Sequence, residues 1–312
     1  MIDRIASENV FRAAVEACLP ERFIKHYLQR VPARARFVYG LAIGNAAVSM
    51  LRGAGPVMHG IAITRDDDRH RIPKGWAIQT PDASAATAIL DLVATASPDD
   101  ILIVLLSAGA ETILPADLRQ GGLARIAACP LYTLIASDRR DDKPEELAGA
   151  PTLPERQQDR SHVIVPYGMF AAAFQMALRD YATQAHILSP MMGSAAQIAR
   201  QLVGELNARN YPLLYFQAAG SAPAPQARLL AIELASVIAG TNRRAFVAAS
   251  SGWDNGPAHP GRPRPAGAFV DGQSWAKLDQ LDDKLVALDG IGASVITQLT
   301  GIDYGGDIVM IG

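Results

Sequence analysis

Apolar positions near the start of the chain recur at helical spacing, in Val10-Phe11, Ala14-Val15, Cys18-Leu19 and Phe23-Ile24, and predict that it opens with helices. From there the pattern alternates between short apolar runs and amphipathic stretches. Phe37–Ile43 reads as a strand, followed by a helix from about Asn45 to Leu51. Val57–Thr64 is a second strand, and Asp82–Ala96 a helix opened by an acidic first turn. Ile101–Leu106 is continuously apolar, as a parallel strand covered on both faces must be, and Leu131–Ala136 repeats that character.

Between Ser137 and Ser161 the texture turns polar, charged and proline-marked, which predicts a long excursion over the surface; loops of that length are often functional. Val163–Val165 resumes as a short strand. Helices over Met169–Tyr181 and Ala195–Ala208, a strand over Leu213–Phe216, a helix over Arg228–Ala239 and a strand over Ala245–Ala249 follow. A second excursion, rich in glycine and proline, spans Ser251 to Gly267. Helices near Gln273–Leu278 and Leu281–Leu288 and a strand over Asp307–Ile311 close the chain. The alternation predicts an α/β protein with mostly parallel sheets. The length of 312 residues favours two domains. The expected boundary separates residues 1–208, holding a mostly parallel Rossmann-like sheet, from a smaller α/β domain over 209–312.

Composition changes this picture little. Apolar residues make up 49% and charged residues 19% of the chain, enough for sizeable cores. A net charge of −2 gives no electrostatic reason to expect nucleic acid or an anionic membrane. Neither a signal peptide nor a run long enough to span a bilayer is recognisable, and Cys18 and Cys129 form no ligand-spaced set, so a cytoplasmic protein with buried thiols is expected. Only five lysines occur: Lys25, Lys74, Lys143, Lys277 and Lys284.

Several chemistries lack their motif. There is no GxxxxGK[ST], no HExxH and no GxSxG. A dinucleotide fingerprint would need GxGxxG after an early strand; the nearest match, Gly290-Ile291-Gly292, comes late and lacks the third glycine. The six histidines are scattered without i,i+4 pairs.

What remains is a set of segments in a particular order. They are LAIGNAAVSM with its Gly44-Asn45-Ala46-Ala47 turn, IQTPDASA, LLSAGAETILPA, LRQGGLARIA, SDRRDDKPEELAGAPTLP, AASSGWDNGP, AGAFVDG and TGIDYGGDIV. Together they resemble the two-domain glycerate 2-kinase family, which joins a DUF4147 domain to a MOFRL domain and whose members are often labelled hydroxypyruvate reductases. The resemblance covers nearly the whole chain, but this chain is shorter than the pattern, with most of the loss between Pro115 and Leu118 and around the middle. It therefore implies a shortened, diverged member without a helical portion of the first domain.

The resemblance implies ATP and Mg²⁺ as cofactors and a small hydroxy acid as substrate, with transfer of the γ-phosphoryl to the 2-hydroxyl of D-glycerate. It also shows where the chain departs from the family. The family's lysine after the first glycine is Asn45 here, and its arginine falls at about Gln226, with Arg228 nearby as a substitute cation. In the glycine-rich loop Ser107 and Gly109 remain, while Ala108, Ala110 and Glu111 replace glycines and a serine. The family places cofactor contacts at Gly44, Ser107, Gly109, Glu111, Ser137, Asp138, Thr152, Asp254 and Asn255, and a cation at Asp138 and Asp142. Losing one oriented donor costs on the order of 2.7–4 kcal/mol of transition-state stabilisation. The expectation is thus a kinase-like protein whose activity is weakened, altered or lost. The alternatives are a non-catalytic metabolite- or protein-binding paralogue and, with less support, an NAD(P)H-dependent hydroxypyruvate reductase. Oligomeric state is left open.

Overall fold

A computed structural model describes residues 2–29, 31, 35–64, 72–139, 141–153, 158–181, 186–189, 191–209, 214–220, 227–251, 265–296 and 307–312. The chain opens with α1 (Arg4–Ala17) and α2 (Glu21–Leu28). Then follow β1 (Val38–Ile43), α3 (Ala47–Ala54), β2 (His59–Ile63), β3 (Trp76–Gln79), α4 (Ala83–Thr95), β4 (Ile101–Leu106), α5 (Ala110–Ile113), α6 (Gly122–Ile126), β5 (Leu131–Ala136) and β6 (Arg160–Val165). The remainder comprises α7 (Met169–Tyr181), β7 (His186–Ile187), β8 (Met191–Gly193), α8 (Ala195–Arg209), β9 (Leu214–Gly220), α9 (Ala227–Val237), β10 (Arg244–Ala249), β11 (Gly267–Asp271), α10 (Ser274–Leu278), α11 (Lys284–Gly290), β12 (Ser294–Val295) and β13 (Asp307–Ile311).

The chain divides into two compact units. One comprises Cys18–Met169 with Thr300–Ile302; the other comprises Met1–Ala17, Phe170–Leu299 and Asp303–Gly312. The 208/209 position lies in the last turn of α8 (Ala195–Arg209), within the second of these units.

The Cys18–Met169 unit is built on a six-stranded sheet in the order β3-β2-β1-β4-β5-β6, with every pair parallel. The continuous apolar run of β4 is fully buried, because parallel strands in mid-sheet are covered on both faces. One core cluster packs Leu41, Ile43, Leu102, Val104 and Leu106 with Ile89 and Leu92 of α4. Helix α4 is capped by Asp82, whose carboxylate accepts the Ser84 N–H at 2.8 Å. At the sheet edge the Trp76 indole lies across β2 and β1, and its Nε1 donates to Gly55 O at 2.9 Å. A β-carbon at Gly40 or Gly60 would collide with the indole ring, so glycine is required at both positions.

The second unit holds a seven-stranded sheet in the order β12-β11-β10-β13-β9-β7, with β8 also on β9. Here the expectation of mostly parallel sheets is corrected. Every pair among β12, β11, β10, β13 and β9 is antiparallel, and only β7 and β8 run parallel to β9. Apolar runs report burial of both faces and carry no direction, and the last strand returns between β10 and β9. Helix α9 buries Ala227, Leu230, Ala231, Leu234 and Ala235, the i, i+3, i+4 rows that face the core. On α1, the Phe11 ring meets Phe246 of β10 at 5.7 Å and Phe170 at 6.0 Å.

The elements expected from sequence are otherwise found with shifted ends; β3, β7, β8, β11 and β12 and the short helices α5 and α6 are not marked by the apolar pattern. The expected helix start at Asn45 is also moved: Asn45 and Ala46 lie in a turn, and α3 begins at Ala47. No helix among the described residues is long and apolar enough to cross a membrane.

Candidate functional site

Strand order in the parallel sheet reverses at β1. From β1 the chain steps outward to β2 and β3, and then returns to β4 on the other side of β1. In open α/β sheets this switch point leaves a crevice at the carboxyl ends of the two strands, where ligands bind. The residues just past those ends are Gly44-Asn45 after β1 and Ser107-Ala108-Gly109 after β4.

The two turns interlock. Gly44 has φ +118°, which excludes ordinary side chains, and a β-carbon there would stand 2.6 Å from Ser107 O. Asn45 N–H donates to Ala108 O at 2.9 Å, and Ala46 N–H donates to Ser107 Oγ at 3.0 Å. Ser107 N–H donates to Ile43 O at 3.1 Å, and Ser107 O accepts the Ala110 N–H at 3.1 Å. Ser107 itself is wholly buried. Gly109, at φ +85°, packs against the Asn45 side-chain amide: a β-carbon there would lie 3.1 Å from Asn45 Oδ1.

This closure qualifies the cofactor contact expected at Gly44. The Asn45 and Ala46 amides are already bonded to Ala108 and Ser107, so the turn presents the Asn45 side chain instead. Ala108 and Gly109 N–H have no acceptor among the described residues, which makes the β4 turn the donor surface.

The neighbouring β5 turn carries the next group of expected residues. Ser137 is buried, its N–H donates to Val165 O, and its Oγ accepts the Arg139 N–H at 3.2 Å. Asp138 follows it, half-buried. Asp142 sits at φ +48° with Oδ1 accepting the Tyr167 N–H at 2.9 Å, so part of its carboxylate is spent on the backbone. Thr152 lies buried against Thr133, whose Oγ1 it meets at 2.9 Å, so its hydroxyl is engaged inside the unit. Glu111 is exposed on α5.

Residues 147–151 dock on α5 and α6. Gln120 N–H donates to Gly149 O at 2.9 Å, Gly121 N–H to Ala150 O at 2.9 Å and Ala124 N–H to Pro151 O at 3.1 Å. Ala148, Gly149 and Ala150 are successive left-handed residues, with φ +51°, +76° and +44°.

No group of three or more His, Cys, Asp or Glu among the described residues is placed to hold an ion, Asp142 is bonded as above, and Asp141 pairs with Lys143 at 3.7 Å. For a polyanion the β4 turn offers amide donors at Ala108 and Gly109. Arg228, expected as a substitute cation, is 1% exposed in the other unit and faces the Asp289 carboxylate at 3.9 Å. Gln226, Asp254 and Asn255 lie outside the described residues.

With this geometry in hand, comparison with known proteins is informative. Residues 6–120 match a family described as a domain of unknown function, DUF4147. A crystal structure of glycerate kinase (EC 2.7.1.31) from Thermotoga maritima superposes over 98% of this chain and 98% of its own, with a TM-score of 0.74 at 17% identity. The PH0495 protein from Pyrococcus horikoshii OT3 superposes over 100% and 99%, with a TM-score of 0.66 at 18% identity. The shortening expected from the sequence finds no support in that coverage. No protein of curated function matches by sequence. Residues 6–120 are thus similar to the DUF4147 family, and over its whole length the chain has the fold of the T. maritima glycerate kinase.

Proposed function

We propose that this chain is a diverged glycerate-2-kinase-like protein that binds ATP and a small hydroxy acid and transfers phosphate to the acid's 2-hydroxyl only slowly. The observation that carries the reading is the interlock of Gly44-Asn45 with Ser107–Gly109 at the switch point; by the family resemblance, the neutral Asn45 amide replaces a lysine there. The fold of the T. maritima glycerate kinase supports the substrate class, while strand order alone places a ligand without choosing it.

ATP, when bound, supplies the phosphoryl group. The Ala108 and Gly109 amides and the Asn45 carboxamide are the donors that this chain offers to its phosphates. Phosphoryl transfer depends on positioned positive charge. Replacing a cation by an amide removes on the order of 2.7–4 kcal/mol of transition-state stabilisation, about 10²–10³ in rate.

Purified protein with ATP, Mg²⁺ and D-glycerate, and with related C3–C5 hydroxy acids, gives the test. ATP should raise the melting temperature by mass action. ADP should form with at least one acid, far below the ~1–100 s⁻¹ of ordinary kinases. Asn45→Lys should accelerate it. If ATP produces neither a thermal shift nor ADP, the reading is overturned; turnover at an ordinary kinase rate would remove the claim of weakening.

A further inference from the structure

We propose that Ser107 is a positioning residue: its buried hydroxyl holds the Gly44–Ala46 turn so that the Asn45 carboxamide stands over Gly109, where the ligand is met. This deepens the function proposed above and rests on it.

Helix α3 cannot cap itself, because the residue ahead of it is Ala46, which has no side-chain acceptor. The acceptor comes instead from β4, sixty-one residues on: Ser107 Oγ takes the Ala46 N–H at 3.0 Å. The same oxygen stands 3.5 Å from Ile43 O, to which its proton is directed. Ser107 N–H and C=O are bonded as well, so every polar atom of this residue is spent on the two turns. At 0% exposure the hydroxyl has no face left for a ligand.

The turn it holds presents one group. From Leu41 to Leu51 every residue is buried except Asn45. Asn45 N–H is fixed to Ala108 O, and its carboxamide is seated 3.1–3.4 Å from the β-position of Gly109. Without the Ser107 oxygen, Ala46 N–H is a buried donor with no partner, which is costly enough to move the turn. Asn45 would move with it.

The test uses the full chain with ¹⁵N-labelled asparagine, the Asn45 side-chain NH₂ signals being identified by their loss in Asn45→Ala. In Ser107→Ala these signals should shift towards those of a free carboxamide, and ATP affinity should fall about tenfold or more. Ser107→Thr, which keeps the oxygen, should restore both. Gly40→Ala, which forces a β-carbon into the Trp76 ring five residues before Asn45, serves as a destabilised control. Asn45 signals unchanged in Ser107→Ala, or an equal loss of ATP affinity in Gly40→Ala, would overturn the proposal. If the wild-type chain does not bind ATP, the proposed function fails, while the carboxamide signals still decide whether Ser107 positions Asn45.

Discussion

The side-chain amide of Asn45 stands 3.1–3.4 Å from where a β-carbon of Gly109 would lie, so the two turns at the switch point pack closely at a residue with no β-carbon. Gly109→Ala should therefore be penalised twice. The added methyl meets Asn45 Oδ1 at 3.1 Å, and the backbone is held at φ +85°. Left-handed geometry alone costs a non-glycine residue about 1–2 kcal/mol. Asn45→Ala should relieve the steric part and leave the conformational part. Denaturant midpoints for the two single variants and the double variant check this: the double should be more stable than the sum of the singles implies, and strict additivity would show that the two residues do not touch.

The left-handed run Ala148-Gly149-Ala150 makes a second, less intuitive prediction. Replacing a buried alanine by glycine ordinarily destabilises, through lost methyl burial of about 0.8 kcal/mol and the greater freedom of the unfolded chain. At Ala150, with φ +44°, the relief of about 1–2 kcal/mol of left-handed strain offsets both. Ala150→Gly should fall within about 0.5 kcal/mol of wild type. Ala231→Gly, equally buried in the middle of α9, should cost about 1–2 kcal/mol. Urea denaturation of the two variants separates these outcomes; equal losses would mean that the Ala150 backbone is not strained.

How far the molecule was legible in its sequence follows from which forces act locally. Strand β4 was readable because burial on both faces leaves only apolar residues, and the start of α4 was readable to within one residue, Asp82 being its cap rather than part of its first turn. Strand β3 was hidden in Trp76-Ala77-Ile78-Gln79, four residues held by the parallel register to β2 and by the indole lying over Gly40 and Gly60. The antiparallel sense of β10, β13 and β9 was hidden because an apolar run has no direction. At the site, the Gly44 and Ser107–Gly109 turns were recognisable one at a time. That they clasp each other, and so use up the Asn45 and Ala46 amides, depends on a partner sixty-one residues away and leaves no local trace.

Arg228 separates a structural role from a chemical one. Its side chain is 1% exposed and faces Asp289, whose carboxylate also accepts the Ser294 hydroxyl. Breaking a buried ion pair by removing one partner costs about 3–5 kcal/mol, and the remaining exposure of Asp289 places this case at the lower end. Arg228→Met should thus lower stability by about 3 kcal/mol. Any ADP-forming activity should survive at temperatures where the variant is still folded. A stable variant with abolished turnover would instead make Arg228 a catalytic cation.

Stability towards acid should depend on Asp100. This buried carboxylate joins the start of β4 to the approach to β1: Oδ2 accepts the Ser97 N–H and hydroxyl, each at 2.7 Å, and Oδ1 accepts the Phe37 N–H at 3.1 Å. The bonds from Ser97, first from its backbone and then from its hydroxyl, hold the carboxyl below its ordinary value of 3.8, with Phe37 N–H and the Arg36 charge adding to the effect. A lowered folded-state pKa means that the unfolded chain takes up the proton first. The contribution is therefore complete above about pH 4 and is lost as pH falls through the depressed value. Asp82, held low by Ser84 and Thr80, acts in the same direction. Asp100→Asn should lower stability at neutral pH, because a carboxamide cannot accept all three hydrogen bonds. It should also flatten the decline between about pH 4 and pH 2 relative to wild type. Urea midpoints measured across that range decide it: parallel declines in the two proteins would show that Asp100 is not held in its ionised form by these bonds.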